Sequence, residues 1–483
     1  MTNTSATANK GFMDRYFKIS ERGSTIGTEI RAGVVTFFAM AYIIILNPLI
    51  LGTGADINGK VLGIPQVAAA TALAAGVMTI AFGLIARYPF GIAAGLGINT
   101  LVAVTMVSTE GLTWEEAMGL VVLDGVIIVL LAVSGFRTMV FSAIPQDIIA
   151  AMGVGIGMFI AMIGLVDSGF VRRIPDAANT TVPVGLGTNG SIASWPTFVF
   201  VIGLLICGVL VIRKVRGGLF IGILATTIIA MIVEALTGAS SSATNPTGGW
   251  SLAVPAVPDS FGGIPDLSIV GDISLVGAFS RVGALSATLL LFTLVLANFF
   301  DAMGTITALG KQAGLADEKG IVPDLKKALV VEGAGAIVGG VASASSNTVY
   351  VDSSAGIADG ARTGLANVVT GVLFLLAMFL TPLYEVVPIE AAAPVLVIVG
   401  AMMITQVREI NFTKFEIALP AFLTIVVMPF TYSIANGIGV GFITYVIMAA
   451  AAGKAKNVHW VMWLVAGLFV LFFAVDPLLN AVS

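Results

Sequence analysis

The sequence predicts an all-α polytopic membrane protein of about 14 transmembrane segments, built as two inverted seven-span repeats with half-helices and short strands in spans 3 and 10. Three observations predict it. Apolar residues make up 58% of the 483-residue chain and charged residues only 10%, against about 25% charged in a soluble domain. Apolar runs of about 17–25 residues, long enough to cross roughly 30 Å of hydrocarbon, follow one another along the chain. Two short, small-residue-rich stretches interrupt this pattern at matching places, each third in a set of seven.

The runs fall at 31–51, 66–86, 90–108, 116–133, 145–165, 197–213, 218–236, 284–310, 328–344, 348–360, 364–381, 391–405, 415–431 and 434–452. A further run, Trp460 to Val475, is short for a span and either crosses or lies at the interface. Residues 1–28 are polar, lack a signal-peptide core and read as a cytosolic tail with an amphipathic piece, Phe12, Tyr16, Phe17 and Ile19. With the N-terminus inside, cytosolic segments hold 19 of the 23 Lys and Arg and the other side holds 4. This is the positive-inside asymmetry of a multi-pass protein of the plasma or inner membrane. The long loops 166–196 and 237–283 then both lie outside, and their Gly, Pro, Ser, Thr and Asn content suits water.

The net charge of −4 says little about partners. The single Cys207 excludes an intramolecular disulfide, and the single His459 argues against histidine-based metal sites. No metal site, no cofactor and no nucleic-acid partner is expected. GLGINT, at 95–100, is not a nucleotide-binding glycine motif, because no strand precedes it there.

The repeat rests on a few positions. PFGIAAGLGINT (Pro89 to Thr100) and VYVDSSAGIADG (Val349 to Gly360) are both interrupted and small-residue-rich. Pro145 opens span 5 and Pro388 precedes span 12, and both spans close on Met-Ile, at Met162-Ile163 and Met403-Ile404. Seven is odd, so the copies have opposite topology. Broken helices in matching places of inverted repeats point to a transporter with a midplane site. A glycine-lined helix contact explains span 3 alone equally well; the match to span 10 favours the break.

Two acids stand in this apolar context. Asp301 lies inside a hydrophobic segment that starts near Ala284, and Asp352 lies where Thr348, Val349, Tyr350 and Val351 give way to small residues. A charge at bilayer depth costs roughly 2.5–3.5 kcal/mol on insertion scales, so such residues are functional candidates. Irregular backbone survives in a membrane only where it is buried in protein or lines a cavity. Asp301 and Asp352 are therefore expected to face one central site. Asp124 is expected to pair within the bundle, and Glu332, one turn from Lys327, to sit near the interface. Asn298 and Asn436 read as interhelical hydrogen bonders.

FFAMAYIIILNP (Phe37 to Pro48), PFGIAAGLGINT, FFDAMGT (Phe299 to Thr305), NTVYVDSSAGIADGARTGL (Asn347 to Leu365) and MPFTYSIANGIGVGF (Met428 to Phe442) resemble the azaguanine-type branch of the nucleobase–cation symporter-2 family. The resemblance runs in order over almost the whole chain. It implies a purine permease for adenine, guanine or hypoxanthine, working by proton symport, with Na+ the alternative, and by an elevator-like motion. It implies a core domain of spans 1–4 and 8–11 (29–133 and 284–381) and a gate domain of spans 5–7 and 12–14 (145–236 and 391–452). A loop at 237–283 and a hydrophobic C-terminal segment at 453–483 complete the chain. Monomer and homodimer both stay open. The family's span-8 acid matches Asp301 and the small polar position one turn later matches Thr305. Its span-10 carboxylate matches Asp352, with Ser353 beside it. That carboxylate is usually Glu, so the shorter Asp352 leaves the purine preference open.

The chemistry agrees with that resemblance. A purine base is flat, mostly uncharged and rich in N–H donors, and a carboxylate accepts two such donors side by side. A half-helix N-terminus stabilises Asp352 as an anion, while Asp301, among Phe299, Phe300 and Met303, is the protonatable partner. Phe300 can stack on the base or simply pack, and Asn99 can cap the broken backbone or reach the ligand. An anion carrier of the same fold is the first alternative, opposed by acids where an anion needs Arg or Lys. A membrane enzyme or receptor is the second, and no Ser/His/Asp set or nucleotide loop supports it.

Overall fold

A computed structural model describes residues 11–482 except 136–142, 174–183, 188–189, 246–247, 252, 259, 316–322, 385 and 432. Span 1 covers Ile26–Leu51 in two pieces, Ile26–Met40 and Ile43–Leu51, with Ala41 and Tyr42 between them. Helices Ile64–Ile85, Trp114–Ser134, Gln146–Asp167, Trp195–Ile212 and Gly218–Thr237 form spans 2 and 4–7. Helices Ala284–Gln312, Leu325–Val341, Gly364–Ala377, Ile389–Met403, Phe415–Thr431 and Ile434–Ala451 form spans 8, 9 and 11–14. Spans 3 and 10 are broken as expected. Strand β1 (Ile92–Ala94) leads into a helix at Leu96–Thr100, and strand β4 (Asn347–Val349) into a helix at Ser353–Ala358. A strand thus does precede GLGINT, against the sequence reading, but it pairs antiparallel with β4 and forms no parallel βαβ unit, so the segment is still no nucleotide-binding loop.

Local sequence sets the helix starts. Thr113 and Glu116 form a reciprocal capping box at the start of span 4. Thr25, Ser194, Thr363 and Ser433 each accept a backbone N–H at the start of spans 1, 6, 11 and 14. Span 3 continues past Thr100 as a nine-residue π-helix, Leu101–Thr109, a wide-turn form that often marks functional segments.

Small residues allow the helices to approach closely, as packing between lipid-embedded helices requires. Span 2 meets span 11 at Gly76 against Gly371 and Gly83 against Gly364. Span 5 meets span 12 at Gly157 against Gly400. Span 4 packs on span 9, span 5 also on span 13, and span 6 on spans 7 and 12. Spans 6 and 7 turn Leu205, Val209, Ile228 and Ile232 outward, as a lipid-facing surface does. A two-stranded hairpin, β2 (Val171–Arg173) with β3 (Val184–Leu186), lies in the loop after span 5. The loop before span 8 is tied back by Lys60, which pairs with both Asp272 and Glu115.

The tail is more engaged than a free cytosolic segment. Phe17 and Ile19 are buried against Leu365, and the Tyr16 hydroxyl donates to the Leu84 carbonyl at 2.9 Å. At the other end, Trp460–Val482 is one 23-residue helix. At 1.5 Å per residue it extends about 34 Å, enough to cross a bilayer. Its inner face buries Val461, Val465 and Phe469, and the Phe469 ring contacts Phe442 of span 14 and Phe292 of span 8.

Candidate functional site

The two strands cross as an antiparallel pair, with Ile92 opposite Val349, Ala93 opposite Thr348 and Ala94 opposite Asn347. Gly95 N–H to Ser346 O and Tyr350 N–H to Gly91 O, both 2.9 Å, extend the ladder at each end. This answers the physical problem of a broken span, because each strand satisfies the other's backbone groups away from water. The outer edge of β1 is closed by Thr79 of span 2, whose hydroxyl accepts from Ile92 N–H and donates to Ile92 O. Tyr350 adds a clasp, donating its hydroxyl to Ala94 O at 2.6 Å.

Two asparagine hubs hold the approach to β4. Asn47 of span 1 donates to Thr71 of span 2 at 2.7 Å and to the Ala344 carbonyl at 3.0 Å, and its Oδ1 accepts from Asn99 of span 3 at 2.6 Å. Asn298 of span 8 donates to Asp124 Oδ2 of span 4 at 3.0 Å and to Ser346 Oγ at 2.8 Å. Asn99 is thus a strut of the break, fully buried, and Asp124 and Asn298 pair inside the bundle as their sequence context implied. Ser353 is also fully buried, and its hydroxyl accepts from Gly91 N–H at 2.9 Å, tying the second half-helix to the first strand.

The acids flank this frame. Asp352 sits at the N-cap of the half-helix Ser353–Ala358, and its Oδ2 accepts from the Tyr42 hydroxyl at 3.0 Å. Tyr42 comes from the interruption of span 1, so one break holds the carboxylate of another. Asp301 has Glu332 of span 9 and Thr348 of β4 as the groups that bear on its carboxyl. Asp301 and Asp352 are both partly buried and keep part of their surface open. Tyr350 is within electrostatic reach of both. Thr305, one turn beyond Asp301 on the same face, is 7% exposed. The side chain of Phe300 lies outside the described residues, while Phe299 is packed in the core.

Glu332 adds a third acid to this region. It is fully buried in the protein and within electrostatic reach of Asp301, while Lys326 and Lys327 lie at the start of the same helix. Tyr42 and Thr348 carried no separate signal in the sequence, since each stands in an apolar or β-branched run that reads as packing. Among the described residues, no group of three or more His, Cys, Asp or Glu could hold a metal ion.

Residues 27–475 match the Permease family, Xan_ur_permease. The chain belongs to the Permease family. The permease is 39% identical over 467 residues to the guanine/hypoxanthine permease PbuG of Bacillus subtilis strain 168, covering 95% of this chain and 98% of that protein. It is 33% identical over 475 residues to the adenine permease AdeP of Escherichia coli K12, covering 97% of each. Its fold is similar to the transmembrane domain of a cyanobacterium bicarbonate transporter, BicA, with a TM-score of 0.58 at 15% identity over 88% of this chain and 97% of that one. The permease is therefore a multi-pass membrane transporter of the nucleobase permease type, not an enzyme.

Proposed function

We propose that the permease imports purine bases across the cell membrane, with its N-terminus cytosolic, coupling each base to a proton. The carrying observation is the pair of acids at β4, both partly buried: Asp301, whose carboxyl Thr348 of that strand reaches, and Asp352, three residues beyond its end. Tyr42 occupies one oxygen of Asp352, which orients the other toward the N–H edge of a neutral base. Asp301 and Glu332 form a second, different locus. Two carboxyls within electrostatic reach of each other and largely away from water do not both carry charge cheaply, so this pair suits the storage of a transported proton. The relatives named as guanine/hypoxanthine and adenine permeases support the purine class.

In this reading spans 1–4 and 8–11 form a core that carries the site, and spans 5–7 and 12–14 a gate it slides against. An anion substrate is the second reading, favoured by the bicarbonate transporter of similar fold; the carboxylates at the break oppose it. Uptake of radiolabelled guanine, hypoxanthine, adenine, uracil and sulfate into proteoliposomes, with and without an imposed proton gradient, separates these readings. Gradient-driven accumulation of one or more purines is expected. Accumulation of sulfate alone, or of purines with no response to the gradient, overturns the proposal.

A further inference from the structure

A partly enclosed cavity of about 200 Å³ lies between spans 3 and 8 on one side and spans 13 and 14 on the other. Leu101, Leu290 and Thr293 are its buried floor, and Thr109, Glu110 and Thr431 its exposed mouth. Thr293 precedes Asp301 by eight residues on one helix, a rise of about 12 Å. That is further than one bicyclic base extends, so the cavity is separate from the crossed-strand site. Its volume is below the roughly 300–1,000 Å³ of pockets for drug-sized ligands and suits a single small ring system.

The walls are rich in acceptors, and the one charged residue of the described lining, Glu110 at the exposed mouth, is an acid. The Thr109 hydroxyl donates to Val104 O at 2.9 Å and the Thr431 hydroxyl to Val427 O at 2.7 Å. A hydroxyl that donates back to its own helix presents lone pairs forward. Asn436 adds an amide, and Leu101, Val104 and Leu290 offer apolar surface for ring faces. The described lining contains no Lys or Arg, so it offers an anion no charge partner. A flat, neutral heterocycle with several N–H donors matches this surface best.

We propose that this cavity is a second, outer subsite for the purine, occupied before the base reaches Asp301 and Asp352. It rests on the purine reading above. The residues come from both sides of the sliding contact of that reading: 101–110, 290 and 293 from the core, 431–436 from the gate. The base would therefore be held where the two bodies meet, and the π-helical stretch 101–109 would lead from this subsite down to the first half-helix.

Thr431→Cys places a reporter at the mouth. The one native cysteine, Cys207, is fully buried, so maleimide labelling of the folded, nanodisc-reconstituted protein reads position 431. Hypoxanthine at about ten times its Kd is expected to slow labelling about tenfold. The same protection is expected with Asp352→Asn added, because the outer subsite does not use that carboxylate. Adding Asn436→Leu instead is expected to raise the protecting concentration about fivefold. Protection seen only with Asp352 intact makes the signal a consequence of the central site and overturns the proposal, as does no protection in either background. Hypoxanthine uptake by the unaltered protein tests the purine reading separately. Uptake with no protection at 431 removes the subsite alone; no uptake of any purine removes both.

Discussion

The Tyr42 hydroxyl donates to Asp352 Oδ2 at 3.0 Å, joining the interruption of span 1 to the start of the half-helix in span 10. Tyr42→Phe keeps the ring packed and deletes only the donor. A hydrogen bond to a charged acceptor contributes about 1.5–3 kcal/mol, so base affinity is expected to fall about 10- to 150-fold. Scintillation-proximity binding of labelled guanine reads this directly. Unchanged affinity would mean that Tyr42 acts by shape alone.

Asp352→Glu moves the carboxyl outward by one methylene from the Tyr42 hydroxyl. Transport is expected to survive while the ranking among guanine, hypoxanthine and adenine changes. Asp352→Asn instead turns an amide N–H₂ toward a base N–H, leaving a buried donor unpaired at a cost of about 1–3 kcal/mol. Competition by each base in uptake assays on both variants gives the answer. If Asp352→Asn binds every purine as the unaltered protein does, the base sits elsewhere.

Asp301 and Glu332 are expected to divide in a different way. Asp301→Asn is expected to abolish gradient-driven accumulation and weaken base binding. Glu332→Gln is expected to lower accumulation at least as much as it lowers counterflow exchange, with binding held within about threefold, or less than about 0.7 kcal/mol. Full gradient-driven accumulation by Asp301→Asn would sink the proton role assigned to it.

Asp359 ends the half-helix that Asp352 begins, and it pairs with Arg31 of span 1 at 2.7 Å and with Arg216 of the turn between spans 6 and 7. Arg31 travels with the core in the proposed motion and Arg216 does not. Arg216→Ala is expected to change the maximal uptake rate several-fold while guanine Kd stays within about twofold, in line with the roughly 0–1 kcal/mol of a pair with one exposed partner. A changed Kd at unchanged rate would place Arg216 in the binding frame instead of the moving contact.

Gly364 faces the Gly83 carbonyl, where an added Cβ has no room. Gly364→Ala is expected to lower stability by about 1–3 kcal/mol through overpacking between spans 2 and 11. Melting followed by size-exclusion chromatography reports it, and an unshifted midpoint would show that the helices can separate there without penalty.

The sequence made the breaks legible because they change period and composition at once. Pro89 to Thr100 and Val349 to Gly360 leave the apolar pattern, and the strands lie at those places. The two acids were legible for a similar reason, since charge is conspicuous in apolar sequence. What surrounds them was not. Glu332 follows two lysines in sequence, yet the helix carries it about 8 Å beyond Lys327, into the protein interior and within electrostatic reach of Asp301. The Asn47 and Asn298 hubs join residues that are far apart in the chain, and no periodicity encodes such partners. The apolar run from Trp460 ends before Asp476 and Pro477, while the helical backbone continues to Val482, an extension that hydropathy does not encode.

The pairing of β1 with β4 also governs how the chain is made. The paired residues are about 250 positions apart, and a ribosome adding roughly 5–20 residues per second needs about 10–50 s to supply the second strand. During that interval Thr79 satisfies Ile92 on the outer edge of β1, but the inner edge, with the Gly91 carbonyl and the Gly95 amide, waits unpaired inside or beside the bilayer. The newborn protein is thus most exposed to quality control between its two halves, and insertion factors have a defined segment to shield. The same dependence means that the halves, synthesised as separate polypeptides, must close this ladder as well as pack spans 2, 4 and 5 on spans 11, 9 and 12.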